Sequence, residues 1–221
     1  RQAGPVTMEL KRQKTYKGVF DRARDELLGS AMEEKFFLAG LGHDRVDSGT
    51  RVHVPFFDET ILFNIPGFTF SSSRGANVTL VAKIVILHYI NTASGTPLTG
   101  DKVAYGDIPA CMHYDPVFEK RVLKPLVRAF GYDRHTFLDA GRNLGAKEEG
   151  FGDASFTLFA FPKVPITFVL WEGDSEFPPS ARALFDPSVT GYLPLEDIVV
   201  VSKLAAGRIL KTAMKNFAEE V

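Results

Sequence analysis

The sequence predicts an α+β fold: antiparallel β-hairpins packed with helices, as a single globular domain over residues 15–221 behind a flexible arm over residues 1–14. Three observations carry this. Helical and strand periodicities come in blocks rather than in regular alternation. Two pairs of alternating segments, within 51–65 and within 155–171, each flank a short turn. No internal repeat and no linker-like stretch divides the chain, and its 221 residues suit one domain.

The arm holds Arg1, Lys11, Arg12 and Lys14 with little periodicity, and it opens without an initiating Met, the mark of a processed end or a fragment. Tyr16, Val19, Phe20, Ala23 and Leu27 recur at helical spacing, so a helix is predicted to Leu28. A short helix over 31–39 sets Met32 and Phe36 on one face and stops at Gly40 and Gly42. Residues 51–57 and 60–65 alternate as a hairpin around Asp58-Glu59, and Phe68–Phe70 extends it after Pro66-Gly67. The strongest core helix is predicted from Asn77 to about Ala93, with Leu80, Ile84, Leu87 and His88 on one stripe. A short strand follows at 102–105. Asp115-Pro116 reads as an N-cap with proline at the first helical position, for a helix ending at Gly131. Asp133 caps the next helix, which ends at Gly145. Residues 155–161 and 164–171 form a second, almost wholly apolar hairpin, which predicts burial on both faces. A polar loop over 172–179, a helical turn over 181–185 and a terminal helix over 194–217 complete the chain.

Composition excludes several functions. With 26 Lys+Arg against 27 Asp+Glu, the chain lacks the basic excess that non-specific nucleic-acid binding needs. One Cys excludes an internal disulfide, a Cys-ligated iron–sulfur cluster and a Cys-rich zinc site from this chain alone. The apolar stretch 78–90 holds Lys83 and His88 and is shorter than the roughly 20 residues that span a bilayer. With no apolar leader segment either, the expectation is a soluble, cytoplasmic protein. The 19 Phe are expected mainly in the core, where they can also line a pocket for a flat ligand.

The densest polar segment is Trp171-Glu172-Gly173-Asp174-Ser175-Glu176-Phe177-Pro178-Pro179. Three carboxylates at a strand end can bind a divalent cation such as Mg²⁺ or divide acid and base roles, and they can equally cap a solvated turn. Asp186 follows Asp174 closely, and Tyr192 lies just beyond. A rim of Trp171, Glu172, Asp174, Glu176, Asp186 and Tyr192 is the candidate site. Glu196 and Asp197 suit the first turn of the last helix. Neither His88 nor His113 belongs to an HExxH or HxH pair, so each is a core histidine or a single axial ligand to a tetrapyrrole. Cys111 has only His113 nearby as a base. No GxSxG, Walker or GxGxxG motif occurs.

A resemblance adds to this. The segment Val169–Pro178, then Leu184-Phe185-Asp186 and Tyr192–Asp197, resembles domain-of-unknown-function family 3786. Upstream pieces agree: Leu87-His88-Tyr89, Gly95-Thr96-Pro97, Thr99-Gly100, Asp107-Ile108-Pro109, Phe118 with Arg121, Pro125-Leu126, Phe130-Gly131 and Gly152-Asp153-Ala154-Ser155. The resemblance covers roughly residues 16–210. It implies a setting in anaerobic bacteria and archaea that run corrinoid and iron–sulfur one-carbon chemistry, and it implies no catalytic residue. Three features depart from the pattern: the single Cys, which cannot supply the Cys-rich cluster segment of some members; Asp174-Ser175-Glu176, where two consecutive acids are expected; and Ala110-Cys111 in place of a glycine-rich pair.

The leading expectation is therefore an accessory protein that binds a cofactor, a tetrapyrrole such as a corrinoid, or a partner protein from corrinoid or iron–sulfur metabolism. Its binding residues would come from the acidic rim with His88 or His113. The alternatives are an enzyme using Glu172, Asp174, Glu176 and Asp186 with Mg²⁺, and a structural subunit of a larger complex.

Overall fold

The computed structural model describes residues 5–109 and 111–219, with side chains described from Gln13 to Lys215. The architecture is α+β, with two antiparallel sheets. The residues cluster into two compact units, and neither is a continuous stretch of chain. The first comprises residues 1–54, 59–96 and 191–193, and the second residues 55–58, 97–190 and 194–221.

In the first unit, helices α1 (Pro5–Leu28), α2 (Met32–Leu38) and α3 (Leu80–Thr92) accompany a four-stranded meander. Its strands are β1 (Gly42–Val46), β2 (Gly49–Phe56), β3 (Glu59–Ile65) and β4 (Thr69–Ser72). Residues 5–14, expected as an arm, continue α1. Met8 to Lys14 are mostly strong helix formers, so propensity extends the helix where amphipathic period is lacking. Residues 1–4 of the expected arm lie outside the described residues. The alternation of β2 and β3 holds: Val52, Val54, Ile61, Phe63 and Ile65 are buried. β1 escaped the sequence because its residues, Gly-His-Asp-Arg-Val, are exposed or half-buried and show no apolar period. α3 starts later than predicted. Thr79, rather than Asn77, caps it, accepting from the Ala82 N–H at 3.2 Å. From Ile84 to Leu87 it is buried on consecutive residues, which dissolves the expected stripe. Two polar groups on α3 find backbone partners: Tyr89 Oη donates to the Ala39 carbonyl at 2.6 Å and Asn91 Nδ2 to that of Ala23 at 2.8 Å.

The second unit is built on a five-stranded sheet in the order β5-β9-β8-β7-β6, antiparallel throughout. The strands are β5 (Val103–Ala104), β6 (Lys147–Glu148), β7 (Ala154–Phe161), β8 (Val164–Trp171) and β9 (Ser180–Phe185). The central place of β8 and the burial of both hairpin arms match the apolar pattern. β9 corrects the helical turn expected at 181–185. Its Ser-Ala-Arg-Ala-Leu-Phe sequence favours helix locally. Pairing with β8 from Trp171↔Ser180 to Ile166↔Phe185 overrides that preference, burying Ala183 and Phe185 and exposing Arg182.

Helices α4 (Asp115–Phe118) and α5 (Lys124–Phe130) are joined by a π-helical turn over Glu119–Leu123. Pro125 explains this turn, since it has no N–H to give the preceding ladder and its ring crowds the carbonyl four residues back. Asp115 does not act as the N-cap that the sequence suggested: it is already helical, and the capping position falls on Tyr114 without a side-chain bond. α6 (Arg134–Asn143) lies against β7. There Phe130, Phe137, Phe156 and Phe168 follow one another with ring centroids 5.5, 4.6 and 6.2 Å apart. Phe-rich composition is thus spent on ring-to-ring core packing. α7 (Leu195–Glu219) closes the unit, with Glu196 and Asp197 in its first turn as expected. The β2–β3 turn also belongs here: Phe56 packs on Phe161 at 5.1 Å, and Asp58 pairs with Arg208 at 3.3 Å.

The cap of α6 is the clearest local prediction borne out. Asp133 accepts from the Thr136 N–H at 3.0 Å and from its hydroxyl at 2.6 Å, and these bonds hold its carboxyl below the usual range. Asp133→Ala is expected to lower stability by about 1 kcal/mol, read as a shift in the urea midpoint.

Candidate functional site

Of the candidate residues, Trp171, Glu172 and Asp174 stand together at the end of β8, and Glu176 lies in the same loop without lining the concavity there. Trp171 is the last residue of β8, and the loop that follows is fixed by its own acids. Asp153 Oδ2 accepts from the Glu172 N–H at 2.8 Å. Glu172 Oε1 accepts from the Arg134 N–H at 2.9 Å, adding a second acidic cap to α6, and its other oxygen stands 3.6 Å from the Arg134 guanidinium. The Gly173 N–H donates to the Gly131 carbonyl at 2.8 Å. Asp174 Oδ1 accepts from the N–H groups of Phe177 and Glu176, both at 2.7 Å, and these bonds hold its carboxyl below its ordinary range. Three of the local acids, Asp153, Glu172 and Asp174, therefore hold backbone amides in place.

The loop borders a concavity of about 600 Å³ lined by Trp171, Phe177, Pro178, Asp153, Glu172, Asp174, Ser180 and Arg182. Three aromatic side chains around this sheet end stay exposed, Tyr132 73%, Phe177 68% and Trp171 37%, while the exposed Phe151 ring has Lys102 Nζ 5.9 Å from its centroid. Close backbone approach sets two of them. A Cβ on Gly173 would come within 2.7 Å of the Tyr132 ring, and one on Gly152 within 3.2 Å of the Trp171 indole. Sequence reasoning missed Tyr132 and Arg182. For Tyr132 a signal existed: it stands between a helix-ending Gly131 and a helix-starting Asp133, where no apolar face continues.

The rest of the proposed rim is not gathered there. Asp186 follows β9, whereas Asp174 precedes it, and the five steps of that strand separate its ends by roughly 17 Å. Asp186 is buried and accepts from the Gly100 N–H at 2.8 Å, the Ser188 N–H at 3.0 Å and the Thr99 hydroxyl at 3.2 Å. Burial works against its ionisation, but the bonds from Ser188, Gly100 and Thr99 outweigh it and hold the carboxyl below the usual range. Tyr192 belongs to the first unit, fully buried, stacked on Tyr89 at 6.0 Å and donating to the Thr96 carbonyl. His88 is half-buried on α3 of the first unit; His113 is exposed in the second. Neither lines the concavity at the end of β8. Among the described residues, no three His, Cys, Asp or Glu side chains are grouped to hold a metal ion. The four-carboxylate Mg²⁺ site thus loses Asp186, and Asp174 is engaged in its own turn.

A second polar cluster lies mid-sheet, where the sequence promised only apolar burial. Lys102 Nζ donates to Thr167 Oγ1 at 2.8 Å and stands 3.7 Å from Glu149. The Thr157 hydroxyl donates to Glu149 at 2.9 Å and lies 2.7 Å from that of Thr167. The four groups satisfy one another in a closed ring, as buried polar groups must. Its effect is to tie β7, β8 and the segments at Lys102 and Glu149 together.

No helix among the described residues is long and apolar enough to cross a membrane. No curated protein and no solved structure matches the chain. The family described as Domain of unknown function (DUF3786) matches residues 39–208. That span takes in both hairpins, the Trp171–Pro178 loop, Asp186 and Tyr192, and on it the chain belongs to the DUF3786 family.

Proposed function

We propose that this protein is an accessory binding module that docks a partner protein through the end of β8. The observation that carries the reading is the set of three exposed aromatic rings, Tyr132, Trp171 and Phe177, around a loop in which Glu172 and Asp174 are already committed to backbone amides. Exposed aromatic rings on a rigid frame are the usual anchors of a protein interface, because they bury much area and lose little conformational entropy. Glu172 and Asp174, held by backbone amides, are spent on fixing the loop rather than poised as general acid and base, which favours recognition over catalysis. The family resemblance adds the setting: a partner from corrinoid or iron–sulfur one-carbon metabolism.

A tetrapyrrole stacked on Trp171 and Phe177 is the neighbouring reading. A protein is favoured because neither His88 nor His113 borders this surface to serve as an axial ligand. Affinity isolation from host extract tests the proposal. The unaltered chain retains a partner that the Trp171→Ala/Phe177→Ala double variant loses by at least about tenfold, while the two melt within about 3 °C of each other. Equal retention by the double variant overturns the reading, and a retained coloured small molecule replaces it with the tetrapyrrole.

A further inference from the structure

β9 is paired along its whole length with β8 but only at its far end with β5. Val103 stands opposite Phe185 and Ala104 opposite Leu184. The chain then leaves the sheet as a tight helical turn over Tyr105–Asp107, so among the described residues no strand runs beside Ser180–Ala183. The ladder fixes where the backbone groups of this stretch point. The Leu170 carbonyl accepts from the Asp153 N–H at 3.0 Å, so Leu170 turns its polar groups to the β7 side. Sides alternate along an antiparallel strand, so Val169 and Trp171 turn toward β9 and meet Arg182 and Ser180. Ala181 therefore turns its N–H and C=O away from β8, and among the described residues no hydrogen bond reaches either.

A hollow of about 340 Å³ borders this open edge, with Ala181, Arg182 and Ala183 on one side and Asp107, Asp115 and Glu119 among the helical turns that line the rest. An unpaired edge with room beside it is a template for another strand, which is why proteins blunt or cover such edges. The edge is continuous with the aromatic surface at the end of β8. Ser180, its first residue, pairs with Trp171, and Arg182 lines both this hollow and the concavity beside Phe177. Three carboxylates against one guanidinium make the lining acidic, which suits a cationic side chain.

We propose that the partner protein docks by strand addition: an extended segment of it, carrying lysine or arginine, lies along Ser180–Ala183 in the place that β5 leaves empty. The Ala181 N–H donates to the segment and the Ala181 carbonyl accepts from it. Such main-chain bonds supply affinity, and the basic side chain facing Asp107, Asp115 and Glu119 supplies selectivity. The same partner covers Trp171 and Phe177. The inference rests on the docking reading above and adds the form in which the partner binds.

The probe is a library of randomised seven-residue peptides displayed on phage and selected on the full chain. Enriched peptides are expected to carry Lys or Arg among β-branched or aromatic residues and to lack proline. Ala181→Pro removes the outward N–H and sets a ring where the added strand would lie. It is expected to weaken peptide binding by at least about tenfold, while the melting temperature moves by less than about 3 °C, because an edge position tolerates proline. Should that variant not fold, hydrogen exchange of the Ala181 amide is read in the unaltered protein, where a selected peptide is expected to slow it at least about tenfold. No enrichment, equal binding to Ala181→Pro, or an Ala181 amide that stays unprotected overturns the proposal. So does self-association that Ala181→Pro abolishes, for the occupant is then a second copy of this chain. Peptides lost by Trp171→Ala/Phe177→Ala but kept by Ala181→Pro leave the docking reading standing and overturn the added strand. Peptides lost by Ala181→Pro alone support the strand and remove the aromatic rings from the docking surface.

Discussion

Asp186→Ala is expected to lower the unfolding free energy by about 2–4 kcal/mol, read from urea melts at pH 7. The carboxylate is 4% exposed and accepts three hydrogen bonds, from Gly100, Ser188 and Thr99. Bonds to a charged acceptor contribute about 1.5–3 kcal/mol each, but they are not additive. Thr99 and Gly100 lie at the surface, where water replaces the lost acceptor, whereas Ser188 is buried and its N–H is orphaned. That difference limits the sum. The pH dependence follows from the direction of the shift. The folded carboxyl is held below its ordinary value. Its contribution is therefore fully present above the unfolded value, about 3.9, and is lost as pH falls through that value toward the folded one. The gap between Asp186→Ala and the unaltered protein is expected to narrow below about pH 4. A loss under about 1 kcal/mol at pH 7, or a gap indifferent to acid, would show that the corner at Thr99, Gly100 and Ser188 is held by other contacts.

Gly141→Ala is expected to destabilise the protein by about 2–4 kcal/mol, against the helix preference that favours Ala by about 1 kcal/mol. A Cβ at Gly141 would lie 2.6–2.8 Å from three atoms of the Phe156 ring. That ring cannot withdraw, for it is fully buried between Phe137 and Phe168. α6 thus approaches β7 only because position 141 has no side chain. Gly207→Ala in α7 is the matched control. A Cβ there meets nothing within 4 Å, so this substitution is expected to be neutral or mildly stabilising. Thermal melts of the two variants should move in opposite directions, or one should not move. Equal shifts would contradict the close approach of α6 to the sheet.

What the sequence made legible follows its periods. Val52, Val54, Ile61, Phe63 and Ile65 announced a hairpin by alternating, and the apolar 155–171 hairpin announced the centre of the second sheet. β1 and β6 are polar or two residues long, so no period existed to read. At β9 local preference pointed to helix, and only the ladder with β8 decided for a strand. The site divided along the same line. Trp171 to Phe177 are joined by local bonds, such as Asp174 to the Glu176 and Phe177 amides, and local spacing reveals those. Asp186 looked near Asp174 because few residues intervene, but those residues are an extended strand that carries it to the other end of the sheet. Tyr132 reaches the loop from a distant part of the chain, which no spacing rule detects.

The short segment Gly191–Leu193 belongs to the first unit, although everything on either side of it belongs to the second. Within the first unit its Tyr192 stacks on Tyr89, and its Gly191 carbonyl accepts from the Ser94 N–H at 2.9 Å. Synthesis runs from the N-terminus at about 5–20 residues per second. Residues 59–96 therefore emerge from the ribosome several seconds before the three residues that complete their unit. The unit whose synthesis begins first is thus completed only after most of the second has been made. During that interval Tyr89 lacks the ring of Tyr192, and this face is open to chaperones and to mispairing.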